Sequence, residues 1–151
     1  MKLRDLLQDI PVISSAVDWD TEIQEVRYNS REVQRGDLFV AIRGFATDGH
    51  AYIGMALEKG AVAVICEEAG VGIPAIVVEN ARAVLADLAS NRFGHPSRKL
   101  KMIGVTGTNG KTTTTTLIKH ILECQGYKVG LIGTNQNMIG DVVIPTERTT
   151  P

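Results

Sequence analysis

Two hydrophobic periods run through this chain, one of about 3.6 residues and one of about two, and they alternate. Leu3, Leu6 and Leu7 share one side of a short helix that must end before Pro11, because proline disfavours helical geometry in the residue ahead of it. Val26 and Tyr28 begin a strand that breaks at Asn29-Ser30-Arg31. Arg35-Gly36-Asp37 reads as a turn, and the unbroken run Leu38-Phe39-Val40-Ala41-Ile42 as a strand buried on both faces. A loop spans Gly44 to Gly49, and within it Asp48 stands where an N-cap belongs for a helix carrying Ile53, Ala56 and Leu57 inward. Gly60 ends that helix. Val62–Cys66 and Ala75–Val78 are further strands around a polar loop, and Asn80 caps a helix reaching Arg92 with Val84, Leu85 and Leu88 inward. Strands alternating with helices predict an α/β fold built on a parallel sheet.

His95-Pro96-Ser97-Arg98-Lys99 breaks the pattern and divides the chain into residues 1–97 and 98–151. The first part holds a complete set of strands and helices. The second opens with a β-branched run up to Val105, which predicts a strand. A helix with Leu117, Ile118, Ile121 and Leu122 on one face and Gly126 at its end follows, then strands near 128–132, 136–138 and 142–144. The strand ending at Val105 and that at 128–132 are far enough apart for a right-handed parallel crossover. That is too little to cover both faces of a doubly wound sheet, so residues 98–151 are expected to be the first part of a larger domain.

The chemistry is concentrated at Val105-Thr106-Gly107-Thr108-Asn109-Gly110-Lys111-Thr112-Thr113. A strand, a glycine turn and a helix N-terminus in that order gather backbone N–H groups around an anion, and the helix end adds a partial positive charge. Lys111 can then reach terminal phosphates and the Thr112 hydroxyl a magnesium ion. The usual formula asks for glycine five residues before Gly110, where Val105 stands, so this is a shortened variant with Gly107 making the turn. Threonines at 112–116 are mediocre helix formers, and a phosphate site is a better reason for them than propensity. An ordinary turn reading Gly-Lys-Thr is the plainer alternative, and the flanking strand and helix patterns argue against it.

Composition narrows the rest. An apolar fraction of 44% suffices for a core, and a net charge of −1 offers no field for nucleic acid or anionic membrane. No apolar run reaches transmembrane length and the first residues lack a signal h-region, so a cytoplasmic protein without membrane insertion is expected. Cys66 and Cys124 show no CxxC or metal spacing and read as reduced thiols, while His50, His95 and His120 have neither metal spacing nor a nucleophile partner. Gly36-Asp37 reads as a fold-defining turn, and Asp48 as a cap rather than an acid.

Tyr28-Asn29-Ser30-Arg31, Gly36-Asp37-Leu38-Phe39-Val40-Ala41, Gly44 and Asp48-Gly49-His50 resemble the N-terminal uridine-nucleotide-binding domain of the Mur ligases. Val105 to Thr114 resembles the start of their ATPase domain. Leu131-Ile132-Gly133-Thr134 and Thr149-Thr150-Pro151 are similar to the members adding the third stem-peptide residue of peptidoglycan. The resemblance implies a small α/β UDP-substrate domain followed by the beginning of a P-loop, mainly parallel-sheet ATPase domain. It implies an ATP- and Mg2+-dependent ligase joining diaminopimelate or L-lysine to UDP-N-acetylmuramoyl-L-alanyl-D-glutamate through an acyl phosphate, acting as a monomer. On this chain it assigns Gly107, Thr108, Asn109, Gly110, Lys111, Thr112 and Thr113 to ATP, with Lys111 catalytic and Thr112 at magnesium. Ser30, Thr149 and Thr150, with Phe45, Ala46 and Thr47, fall to the UDP-muramoyl substrate. The metal ligand and lysine that the family supplies from further downstream are absent, so the chain alone is expected not to ligate. The alternatives are the sister ligase that adds D-alanyl-D-alanine and a non-catalytic nucleotide-binding module.

Overall fold

The computed structural model describes residues 1–44, 47–68, 70 and 72–145, in two compact units, Met1–Leu100 and Lys101–Pro151. In the first, α1 (Leu3–Leu6), β1 (Ser14–Ser15), β2 (Val26–Arg27), β3 (Leu38–Val40), α2 (Ile53–Glu58), β4 (Ala63–Cys66), β5 (Ala75–Val77) and α3 (Ala81–Arg92) follow in order. The sheet runs β1-β5-β4-β3-β2. Strands β2 to β5 are parallel, with Leu38 beside Ala63 and Val64 beside Ala75, and β1 closes one edge antiparallel to β5.

Side-chain alternation divides each inner strand between two cores. Leu38, Val40, Ala63, Ile65 and Ile76 pack with Leu3, Leu6, Val84 and Leu88 under α1 and α3. Phe39, Val64, Cys66 and Ala75 face the other way, toward Val33 and Ala56 of α2. This is why the 38–42 and 62–66 runs are apolar without a period: both faces are covered. Leu88 is fully buried, and truncating such a side chain to alanine costs about 2–5 kcal/mol.

Polar side chains fix the connections. Asn80 accepts a 3.0 Å bond from the Ala83 amide at the start of α3. Near the other end of α3, the Asn91 amide donates to the Leu6 and Gln8 carbonyls, both at 2.8 Å, which satisfies the end of α1 before Pro11. Asp37, 2% exposed, accepts from the amides of Gln34 (2.9 Å) and Glu25 (3.2 Å) and lies 3.6 Å from the Arg27 guanidinium. It therefore ties the turn before β3 to the end of the preceding segment.

The second unit holds α4 (Lys111–Cys124), β6 (Gly130–Ile132), β7 (Asn137–Ile139) and β8 (Val142–Ile144). Helix α4 ends in paired backbone bonds, Gly126 N–H to Glu123 and Tyr127 N–H to Leu122, the arrangement a glycine just past a helix favours. Two expectations fail here. Residues 101–105 form no ladder with any described residue, and Met102 and Ile103 are 69% and 58% exposed. A strand exists only against a hydrogen-bonded neighbour, and β6 pairs instead with β7 in an antiparallel β6-β7-β8 meander, so the expected parallel crossover is not formed. The apolar face of α4 is only half covered: Ile118 and Leu122 are half-buried but Leu117 and Ile121 are exposed, whereas Lys119 is buried in a 2.7 Å ion pair with Glu123. Helical spacing says which residues share a face, not what covers it.

Candidate functional site

The phosphate-type loop is bent and open. Gly107 has φ +144° and Gly110 φ +77°, and α4 begins at the next residue. A left-handed Gly110 with open space around its Cα needs glycine for its backbone angle alone. It also means that no side chain caps α4, so the first amides of that helix keep their donor capacity for a ligand. Helix α4 and β6 border a cleft of about 430 Å³ lined by Val105, Lys111, Thr112, Thr115, Thr116 and residues 131–136.

Lys111 Nζ folds back over the loop, donating to the Gly107 carbonyl and, at 3.4 Å, to that of Thr108. The ammonium therefore stands beside the ring of loop groups where a phosphate would add negative charge. Thr115 donates to the Lys111 and Thr112 carbonyls at 3.0 Å each and is absorbed into the helix. Thr112 lines the cleft with Lys111. Gly107, Thr108, Asn109, Gly110 and Thr113 form the exposed bend and first turn beside it rather than its walls. Sequence reasoning gave no site role to Thr134, Asn135 and Gln136, which line the cleft after β6. The signal was a polar triplet after a short apolar strand, and Asn137 holds it in place by accepting from the Gly133 amide at 3.2 Å.

Magnesium was expected at Thr112. Among the described residues no group of three or more His, Cys, Asp or Glu gathers at one point. Thr112 lines the cleft beside Lys111 and offers a single hydroxyl oxygen there.

In the first unit, Ser30 is 7% exposed. The turn around it is closed by Asn29, whose Oδ1 accepts from the Arg31 amide and whose Nδ2 donates to Glu32. Ser30 is thus not the residue that closes its own turn. Thr47 is exposed, and its carbonyl accepts from the Gly44 amide at 2.9 Å. Asp48 caps the 3-10 turn Gly49–Tyr52, and its carboxyl is held below the usual range by hydrogen bonds from the His50 amide and ring. Arg43 ties the same loop to the chain after β4, 2.7 Å from Glu68, whose carboxyl it likewise depresses. Phe45, Ala46, Thr149 and Thr150 lie outside the described residues. Both cysteines are free thiols; Cys66 is buried, which pushes its thiol pKa up, and Cys124 is exposed.

Comparisons with known proteins agree on one family. Residues 22–93 match the family described as "Mur ligase family, catalytic domain", and residues 105–151 the "Mur ligase middle domain". A UDP-N-acetylmuramoyl-L-alanyl-D-glutamate--2,6-diaminopimelate ligase of Alkaliphilus metalliredigens is 46% identical across the whole chain. The chain spans 31% of that relative's length. A solved structure bearing the same enzyme name superposes over the whole chain and 31% of its own, with a TM-score of 0.74 at 26% identity. MurF ligase from Thermotoga maritima, solved in complex with ADP, matches 70% of this chain and 24% of its own, at 37% identity and a TM-score of 0.52.

Proposed function

Since the chain belongs to the Mur ligase family, we propose that it supplies the nucleotide-handling front of an ATP-dependent amide-forming ligase of peptidoglycan precursor synthesis. The observation that carries this reading is the open glycine bend ahead of an uncapped α4, with Lys111 and Thr112 facing one cleft. The names of the relatives support UDP-N-acetylmuramoyl-L-alanyl-D-glutamate as acceptor and a diamino acid as the incoming amine. They favour this over the D-alanyl-D-alanine-adding alternative. A cytoplasmic monomer, with residues 1–97 on the UDP substrate and 98–151 on ATP, completes the proposal.

The reaction moves the γ-phosphoryl group of ATP to a carboxylate oxygen of the D-glutamyl residue, breaking the β–γ bridge and releasing ADP. The amine nitrogen then attacks the acyl carbon, phosphate leaves, and the amine loses a proton. The barrier lies in bringing a carboxylate to a triphosphate, two anions that repel. Here the loop amides and first helical N–H groups hold the phosphates and Lys111 exchanges its loop carbonyls for phosphate oxygens; the Thr112 hydroxyl would help hold a magnesium ion, which would supply further positive charge. Ser30 and Thr47 are the described side chains assigned to the UDP end.

Titration calorimetry with ADP–magnesium and with the UDP-muramoyl dipeptide tests this. Both should bind, and Lys111→Ala should weaken ADP at least about tenfold with the UDP compound unchanged. Binding of neither ligand to the folded protein would overturn the proposal.

A further inference from the structure

Besides the Arg43 ion pairs, an imidazole links Asp48 to the end of β4. The base of the 44–48 loop is closed by the Gly44 amide on the Thr47 carbonyl and the Gly49 amide on the Ile42 carbonyl, 2.9 Å each. A Cβ at Gly49 would come within 2.6 Å of the Ile42 nitrogen, so only glycine allows this approach. His50 then bridges outward. Its Nδ1 is 2.7 Å from Asp48 Oδ1, and its Nε2 accepts from the Glu67 amide, 3.1 Å away at the end of β4. An Nε2 that accepts carries no proton, so the ring proton is on Nδ1 and points at Asp48. Both bonds exist together only in the neutral ring.

We propose that His50 is a proton-sensitive positioning residue, which holds Thr47 and Asp48 against β4 while its imidazole is neutral. The inference rests on the reading of this loop as part of the UDP-substrate site. Protonation strengthens the bond to Asp48 but sets an Nε2–H against the Glu67 N–H, two donors face to face. The ring stays with the loop and lets go of the sheet.

The surrounding charges do not offer the new proton an easy acceptor. Glu67 Oε1 accepts from the Ala81 amide at 3.1 Å, and its Oε2 lies 3.6 Å from the Arg43 guanidinium. Glu68 is paired with Arg43 at 2.7 Å, Asp48 is already bound to both the amide and the ring of His50, and Arg82 donates to the Arg43 carbonyl. Asp48, Glu67, Glu68, Arg43 and Arg82 are thus all committed in the neutral arrangement.

The test follows the Glu67 backbone amide and the His50 ring by NMR between about pH 8 and about pH 5, a range that spans ordinary imidazole titration. Binding of the UDP-muramoyl dipeptide, whose diphosphate diester keeps its charge throughout and whose D-glutamyl carboxyls only begin to protonate toward about pH 5, is measured in parallel. In the wild type the Glu67 amide should shift in step with the ring, and affinity should fall roughly tenfold toward pH 5. His50→Gln, neutral throughout, should bind with an affinity independent of pH while its circular dichroism matches the wild type. A Glu67 amide that ignores ring protonation overturns the proposal, as does a pH-dependent affinity unchanged in His50→Gln. Failure of the UDP compound to bind any variant, with the amide still tracking the ring, overturns the nucleotide reading and upholds the tether.

Discussion

Replacing Asp37 by alanine should cripple the first unit without touching a ligand. The carboxylate is 2% exposed and accepts from two backbone amides, Gln34 and Glu25. Without it each amide loses a charged acceptor inside the protein, at about 1–3 kcal/mol apiece. Arg27, 35% exposed along its side chain, can turn to water, so losing a partner 3.6 Å away adds little. The loss should therefore be about 3–5 kcal/mol, against a total of about 5–15 for a typical domain. In urea, with a slope of about 1.5 kcal/mol/M, the midpoint should fall by about 2–3 M. Trp19 is the sole tryptophan and lies in this unit, so its fluorescence reports the transition directly. Asp37→Asn retains one acceptor oxygen and turns an NH2 toward the other amide, and should fall in between. A midpoint within about 0.5 M of wild type would refute the argument. So would a fully stable Asp37→Ala that has lost affinity for the UDP compound, because Asp37 would then be a ligand contact.

Asn80→Ala removes the cap of α3 and should cost about 1 kcal/mol in the same urea assay, with Asn80→Asp restoring most of it. In the native protein Cys124 should react with a thiol reagent and Cys66 only on unfolding, which counting the fast and slow thiols will check. Because the Arg43 guanidinium lowers the Glu68 pKa in the folded state, its contribution is complete above the unfolded value and lost as pH falls through the folded one. Melting temperature should accordingly drop less between about pH 5 and about pH 3 in Arg43→Gln than in the wild type, and the difference should shrink in salt. With ATP, the UDP-muramoyl dipeptide and diaminopimelate, a coupled assay on this chain alone should detect no ADP release.

The first unit was legible because its signals agree. The 38–42 and 62–66 runs are apolar throughout and do lie between two cores, and Asn80 does cap α3, whereas Asp48 caps a 3-10 turn ahead of α2 rather than α2 itself. Strand β1 left no trace in the sequence: Ser14 and Ser15 are exposed and join the sheet through backbone bonds alone. Asp37 read correctly as part of a turn, but its grip on a residue twelve positions earlier is a tertiary fact that no local pattern carries. The Lys111 loop was legible as an order of residue types. Its opposite wall, Thr134 to Gln136, is set by where β6 turns, and the burial of Lys119 in place of Ile121 by which side of α4 meets β6.

The β6-β7-β8 meander has a practical cost. Val142, Val143 and Ile144 form its last strand, 66%, 51% and 40% exposed, with one row of amides and carbonyls unpaired by the sheet among the described residues. A valine-rich margin of that kind is a template on which a second molecule can add its own strand, guarded only at its ends by Asp141 and Pro145. The material should accordingly scatter more light as it is concentrated, and a single lysine at position 143 should keep it clear.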